Sequence, residues 1–273
     1  DNSGDIEINR MHLMEPEIMK ITGGHEFFHI VQDLYNYNEK YNWLQEASST
    51  WFEAFLTSNP TDYIPLTYKN NKIQSFYGLQ RGISYGEGAH GYGCASVMKY
   101  QMTTNNLAND PKTILEVWKA ARQGKEPVEA IQSFPMKDMI WYPEFLKKQF
   151  LGELYGDEVF TVFNNIYFKN NGGTWDINDE DDIEIEFNSL GWDMSGEVFQ
   201  INPLFKQMPS DSKLVINLEG DEQYLYAFRY DKLTKMVSLA GESASGIIID
   251  QLKDYAEKGD VIYLLLATYA ATP

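Results

Sequence analysis

Residues 23–29, Gly23-Gly24-His25-Glu26-Phe27-Phe28-His29, contain two histidines separated by three residues, with a glutamate directly after the first. Two histidines four residues apart on a helix lie on one face, so their ring nitrogens can converge on one cation. Glu26 then stands beside that cation, within reach of a bound water. The alternative is two core histidines on an amphipathic helix, and it is weaker because Phe27 and Phe28 already supply apolar packing. The sequence therefore predicts a helix that carries a metal site.

Two helices are predicted around this motif. The first opens at Pro16, since proline is tolerated at the first helical position, and runs to about residue 35. The second starts with Asn42 as an N-cap and Gln45 three residues later, a variant of the capping box, and ends near residue 58, before Pro60. A short turn between them predicts an antiparallel pair whose second helix presents Glu46 to the histidines.

Glu46 is the predicted third ligand. A catalytic zinc site usually takes three protein ligands and leaves the fourth position to water. Sixteen residues separate His29 from Glu46, which lies off the apolar stripe of its helix. Two imidazoles and one carboxylate suit Zn²⁺, with another divalent metal as the open alternative. Glu53 and Asp33 are candidates for orienting the histidines from behind, and each is equally compatible with a solvated surface acid.

The rest of the chain divides into a helical part and a strand-rich part. Further helices are predicted at residues 92–104, 112–123, 127–133 and 143–155, after an irregular segment at 61–90. Short apolar runs separated by turn residues predict strands at 5–9, 183–187, 198–201, 213–218, 224–230, 236–239, 246–249 and 261–268. The predicted fold is α+β and multidomain, with a mainly helical domain at residues 1–170 and an antiparallel β-sandwich-like domain at 171–273. The acidic run at residues 176–182 favours a solvated linker over a calcium loop, because it lacks the spaced ligands of an EF-hand.

Composition narrows the class of protein. The 273 residues carry 22 Lys and Arg against 40 Asp and Glu, a net charge of −18, which argues against a nucleic-acid partner. No apolar run approaches the roughly 20 residues that cross a bilayer, so no membrane span is expected. The one cysteine, Cys94, forms no internal disulfide. Acidic charge and aromatic content favour a secreted or cell-surface bacterial protein.

The two site segments resemble the gluzincin zinc metallopeptidases. Trp43-Leu44-Gln45-Glu46, followed seven residues later by Glu53, is similar to the third-ligand helix of the aminopeptidase N family. The resemblance implies a zincin-like catalytic domain in which His25, His29 and Glu46 bind zinc and Glu26 is the general base. Ala47 replaces the glycine that usually follows the ligand glutamate there, and the spacing of sixteen is slightly short for the family.

The resemblance also implies a side chain that stabilises the oxyanion. Tyr92 is the first candidate, because the segment from Tyr92 to Met98 resembles the family's helix that opens with this tyrosine. Tyr85 is the second candidate, since it also resembles the family's Tyr-x-x-Gly pattern. His90 is the third, by analogy with thermolysin-like members that use a histidine.

The expected activity is hydrolysis of peptide or protein substrates. Endopeptidase action is slightly preferred over aminopeptidase action, because residues 1–24 lack the glycine-rich motif that recognises a free amine in the resembled family. A different class of function is a non-catalytic surface binding module with a structural or vestigial metal site. Attack on a substrate other than a peptide is a third possibility. The sequence leaves the partner of the β-domain undetermined.

Overall fold

The computed structural model describes residues 15–79, 87–104, 112–132, 141–156, 174–177, 194–203, 208–219 and 222–269. The chain divides into two compact units. The first comprises residues 1–75, 79–138 and 152–157, and the second comprises residues 76–78, 139–151 and 158–273. The predicted domain boundary after residue 170 and the predicted strands at 5–9 and 183–187 lie outside the described residues.

Helices make up the described part of the first unit. They are α1 (Pro16–Asp33), α2 (Asn42–Phe52), α3 (Leu66–Asn71), α4 (Glu87–Thr104), α5 (Lys112–Arg122) and α6 (Pro127–Gln132), with 3₁₀ turns at Glu39–Tyr41, Glu53–Leu56 and Gln74–Tyr77. The predictions of α1, α2, α5 and α6 are confirmed within a few residues. Helix α3 lies in the segment predicted to be irregular, and α4 begins five residues before Tyr92.

The predicted N-cap at Asn42 is wrong. Asn42 already has helical backbone angles, and no side chain caps the start of α2. The cap lies one element earlier, where the Asn38 side chain accepts a hydrogen bond from the Lys40 backbone N–H at 3.1 Å. Because that 3₁₀ turn continues directly into α2, the backbone is already helical at the start of α2, and no capping box is required.

Helices α2 and α4 form the centre of the first unit. The apolar stripe of α2, with Leu44, Ala47 and Trp51, is buried. Gly91 of α4 lies directly against α2, where an added Cβ would meet the Trp43 carbonyl oxygen at 2.7 Å and overlap Glu46 Cβ. The absence of a side chain at position 91 therefore allows the two helices to approach closely.

The second unit is built on a five-stranded sheet. Its strands are β1 (Thr174–Ile177), β2 (Gly196–Pro203), β4 (Gln223–Asp231), β5 (Met236–Ser243) and β7 (Val261–Thr268), in the order β1-β2-β7-β4-β5. Only the β1–β2 pair is parallel among these described neighbours. Strands β3 (Leu214–Asn217) and β6 (Gly246–Ile249) form a separate antiparallel pair. The mixed helices and mainly antiparallel sheets are compatible with the predicted α+β class.

Two helices accompany these sheets, α7 (Trp141–Phe150) and α8 (Leu252–Lys258). Alternate residues of β7 face opposite sides: Ile262 and Leu264 join a core with the β3–β6 pair and α8, whereas Tyr263 contacts Phe150 of α7. Helix α8 was not predicted, because its seven residues give too short an apolar pattern. Among the described helices, none combines the length and apolar character needed to cross a bilayer.

Candidate metal centre

Three side chains of the first unit converge on one point. His25 and His29 of α1 and Glu46 of α2 each offer a ligand atom, and these atoms lie within 4.8 Å of one another. Glu46 Oε2 is 3.2 Å from His25 Nε2 and 3.5 Å from His29 Nε2. The imidazole rings stand edge to face with centroids 4.9 Å apart. The structure therefore brings together the three predicted ligands in an arrangement that could hold a metal ion.

The position of each ligand follows from its helix. The four-residue spacing places His25 and His29 on one face of α1, one turn apart. Glu46 is the fifth residue of α2, so it lies at the start of the second turn of that helix. Gly24, beside His25, lies against Leu56 so closely that a Cβ there would overlap it. Small residues at positions 24 and 91 thus let α1, α2 and α4 meet around the site.

His25 is oriented by a carboxylate on its far side. Its Nδ1 atom lies 2.9 Å from Glu53 Oε1, and Glu53 Oε2 in turn accepts a hydrogen bond from the Tyr63 hydroxyl at 2.9 Å. When the ring is neutral, as a metal ligand must be, the carboxylate acceptor places its hydrogen on Nδ1, and the Nε2 lone pair is then available to a cation shared with Glu46. The prediction that Glu53 orients a histidine agrees with this contact, whereas the contribution of Tyr63 was not predicted.

His29 is oriented by a neutral amide. Its Nδ1 atom lies 2.9 Å from Gln32 Oε1. The orientation of that amide is fixed, because Gln32 Nε2 donates to the Gln45 carbonyl oxygen at 3.2 Å and to Ser48 Oγ at 2.8 Å. The amide oxygen therefore faces His29, so in the neutral ring the hydrogen is on Nδ1 and the Nε2 lone pair is available to a cation shared with Glu46.

Asp33, the other predicted orienting acid, does not take this role. It is exposed, and its carboxylate accepts a hydrogen bond from Gln45 Nε2 at 3.0 Å. Gln32 holds His29 instead because residues three apart on a helix are neighbours, and its side chain points inward toward α2. Only 1% of Gln32 is exposed. Helical spacing was therefore a signal that could have identified Gln32 from the sequence.

Charge is concentrated around the ligands in the metal-free protein. Burial lowers the pKa of His25, but hydrogen bonds to Glu46 and Glu53 and their negative charges outweigh it, and the pKa is raised to about 9. For Glu46, burial acts in the opposite direction and raises the pKa. Hydrogen bonds to His25 and His29 outweigh this effect and lower the pKa of Glu46 to about 2. Without metal, His25 is therefore protonated at neutral pH and paired with an ionised Glu46.

Tyr92 lies beside the ligands. Its ring centroid is 6.3 Å from that of His25. Burial and the negative charges of Glu46, Glu26 and Glu53 raise the pKa of its hydroxyl to about 12. The hydroxyl therefore stays protonated at neutral pH and can donate a hydrogen bond. Glu26 is half-buried, and its negative charge contributes to this rise in the Tyr92 pKa.

Of the other two oxyanion candidates, only His90 lies in the part of the chain that the structure describes. Tyr85 lies outside the described residues. His90 is a core residue with 2% of its surface exposed, and its ring packs near Trp43. Its Nε2 atom lies 3.4 Å from the Leu79 carbonyl oxygen and 3.6 Å from the sulfur of Cys94. A ring in these surroundings serves the core of the helical unit.

The donor set fits a divalent metal such as zinc. Two imidazoles whose Nδ1 atoms are occupied by acceptors present two Nε2 lone pairs, and Glu46 adds an anionic oxygen, as in sites with two histidines and one carboxylate. No protein-family model, no curated protein and no solved structure matches the chain, so the chemistry of the site is inferred from its own donors and their geometry.

Proposed function

We propose that the chain is a zinc-dependent peptidase. One observation carries the proposal: the Nε2 atoms of His25 and His29 and the carboxylate of Glu46 are directed at a common point, with each histidine held from behind. Glu26 follows His25 directly in the sequence, where it can reach a water at that point. The proposed zincin-like domain of the gluzincin type covers residues 1–170.

The metal ligands, Glu26 and Tyr92 have different roles in the proposed reaction. Zinc held by His25, His29 and Glu46 would supply a Lewis acid that polarises the peptide carbonyl and acidifies a water. Glu26 takes the proton of the attacking water and returns it to the leaving amine. Tyr92 donates a hydrogen bond to the oxyanion that develops on the substrate, and its raised pKa keeps that hydrogen in place.

The ligand count favours catalysis over a structural role. Structural zinc sites are usually closed by four protein ligands, whereas catalytic sites use three and keep one position open. In the described part of the chain, three ligands form the group. An acid such as Glu26 beside an open position has a use in hydrolysis and none in a purely structural site. Endopeptidase action on peptide or protein substrates, by a secreted or cell-surface bacterial protein, is the form that we propose.

The test combines metal content with hydrolysis of a generic protein substrate. Zinc per chain is measured for the wild type and for Glu26→Gln, and both are assayed on fluorescently labelled casein. We expect about one zinc in each protein and a loss of at least 10²-fold in the rate for Glu26→Gln. Glu17→Gln is the matched control, since it makes the same change at an exposed position of α1.

Three other results would refute or change the proposal. Zinc retained with equal rates for wild type and Glu26→Gln would favour the non-catalytic binding module. Failure of the wild type to bind any divalent metal would refute both the enzyme and the metal-bound module. Hydrolysis of ester but not peptide substrates, lost in Glu26→Gln, would keep the chemistry and change the substrate class.

A further inference from the structure

We infer that Tyr63 is a positioning residue of the metal centre and acts on it through Glu53 and His25. The Tyr63 hydroxyl donates to Glu53 Oε2 at 2.9 Å, and Glu53 Oε1 lies 2.9 Å from His25 Nδ1. This inference rests on the metal site of the proposed function, and it does not depend on which bond is hydrolysed. A side chain outside both ligand helices thereby belongs to the site.

The geometry explains what the hydroxyl contributes. Glu53 is 6% exposed and begins the 3₁₀ turn that follows α2. With a donor on only one oxygen, its carboxylate group could rotate about its last side-chain bond and swing Oε1 away from His25. A donor on each oxygen fixes one orientation. The ring of His25 is then held with Nε2 toward Glu46 before any metal arrives.

Tyr63 is itself held in place. It lies in the connection between the Glu53–Leu56 turn and α3. Two residues earlier, the carbonyl oxygen of Thr61 accepts a hydrogen bond from Lys99 Nζ of α4 at 3.4 Å. The Asn59 amide donates to Asp62 at 2.7 Å within the same connection. These two hydrogen bonds link the connection to α4 and hold the backbone on the N-terminal side of Tyr63.

A purely structural role makes a different prediction. If the hydroxyl only satisfied a buried carboxylate, removing it would lower stability and leave metal affinity as it was. If Tyr63 positions His25 through Glu53, its removal lowers metal affinity, and the loss disappears once Glu53 no longer provides a charged acceptor. A double-mutant cycle on metal affinity separates these two roles.

The experiment measures zinc affinity by competition with a chelating dye. The proteins are wild type, Tyr63→Phe, Glu53→Gln, the double variant and Tyr37→Phe, the last being the same change at a tyrosine that is 83% exposed. We expect a loss of about 10- to 100-fold for Glu53→Gln and about 3- to 10-fold for Tyr63→Phe. The double variant should bind within about twofold of Glu53→Gln, and Tyr37→Phe should match the wild type.

The outcomes distinguish this inference from the proposed function. A wild type without zinc affinity refutes both. A wild type that binds zinc, together with a Tyr63→Phe variant that binds equally well or losses that multiply in the double variant, overturns only the role of Tyr63. p-Aminophenylalanine at position 63 guards against a folding defect, because it keeps the shape and a weaker donor. Its zinc affinity should lie between those of tyrosine and phenylalanine, and a value equal to that of phenylalanine contradicts the inference.

Discussion

Gly91 of α4 lies directly against the side chain of Glu46. A Cβ at position 91 would overlap Glu46 Cβ and would lie 2.7 Å from the Trp43 carbonyl oxygen. Gly91→Ala must therefore push α2 and α4 apart, since neither contact involves the flexible end of a side chain. We expect a loss of about 1–3 kcal/mol in the free energy of unfolding and weaker zinc binding. Urea unfolding and dye competition measure the two effects.

The control for Gly91→Ala is available on the same helix. At Gly88, an added Cβ would meet the Tyr92 ring at 3.5 Å, an ordinary contact. Gly88→Ala should leave stability unchanged or raise it slightly, because alanine is the better helix former. Equal stability of the two variants would show that the approach of α2 to α4 is not set at Gly91.

Gln32 provides a second prediction, because it fixes the hydrogen of His29 on Nδ1. Gln32→Ala should lower zinc affinity by about 10- to 100-fold, the usual effect of losing a partner that orients a metal ligand. Gln45→Ala is the matched control, since its side chain bonds Asp33 and the Asn36 carbonyl oxygen, away from the histidines. Similar zinc affinities in the two variants would contradict the assigned role of Gln32.

The metal-free protein should lose stability as the pH rises from about 6.5 to 9. The pKa of His25 is raised from 6.5 to about 9, so its charged form stabilises the fold fully below pH 6.5, and this contribution is lost as the pH passes through 9. The Glu46 contribution, from a pKa lowered from 4.5 to about 2, is fully present above pH 4.5 and is lost progressively as the pH falls from 4.5 through 2. Thermal unfolding across this range, compared with His25→Gln, measures the effect. A pH dependence identical in both proteins contradicts it.

Zinc binding should release about one proton near pH 7. A metal ligand must be deprotonated, and His25 carries a proton in the metal-free protein at this pH. Calorimetric titration in two buffers of different ionisation enthalpy gives the number of protons released. The apparent zinc affinity should rise with pH until about pH 9. An affinity that stays constant from pH 6.5 to 9 would exclude a protonated His25.

Tyr92→Phe should reduce the catalytic rate without reducing zinc affinity. If the hydroxyl donates to the oxyanion, its loss costs about 10²- to 10³-fold in kcat, with little effect on KM. Tyr63→Phe is the informative comparison, since it should change zinc affinity first. A Tyr92→Phe variant with wild-type kcat would remove Tyr92 from the mechanism and direct attention to Tyr85.

Local spacing made much of the metal centre predictable. One helical turn places His25 and His29 on the same face, and Glu53 lies about two turns beyond Glu46, although the sequence left Glu53 equally compatible with a surface acid. Tyr63 could not be predicted, because its hydroxyl reaches Glu53 through the path of a loop. The N-cap predicted at Asn42 was wrong because the preceding 3₁₀ turn already gives Asn42 helical backbone angles. The predicted strands of the second unit came from short apolar runs between turn residues, and β1 was not among them. The order in which the strands pair depends on contacts distant in sequence.

Helix α1 is attached to its unit in an unusual way. Of its 18 residues, the two that are buried are His25 and Gln32, one a ligand and the other the holder of a ligand. The Phe28 ring of α1 also stacks on Phe52 of α2 with centroids 4.5 Å apart, so a cation shared with Glu46 would add a second attachment between the two helices to this apolar contact. Metal starvation would then loosen this helix first and expose it to proteolytic cleavage, so the lifetime of the protein would follow the supply of its metal.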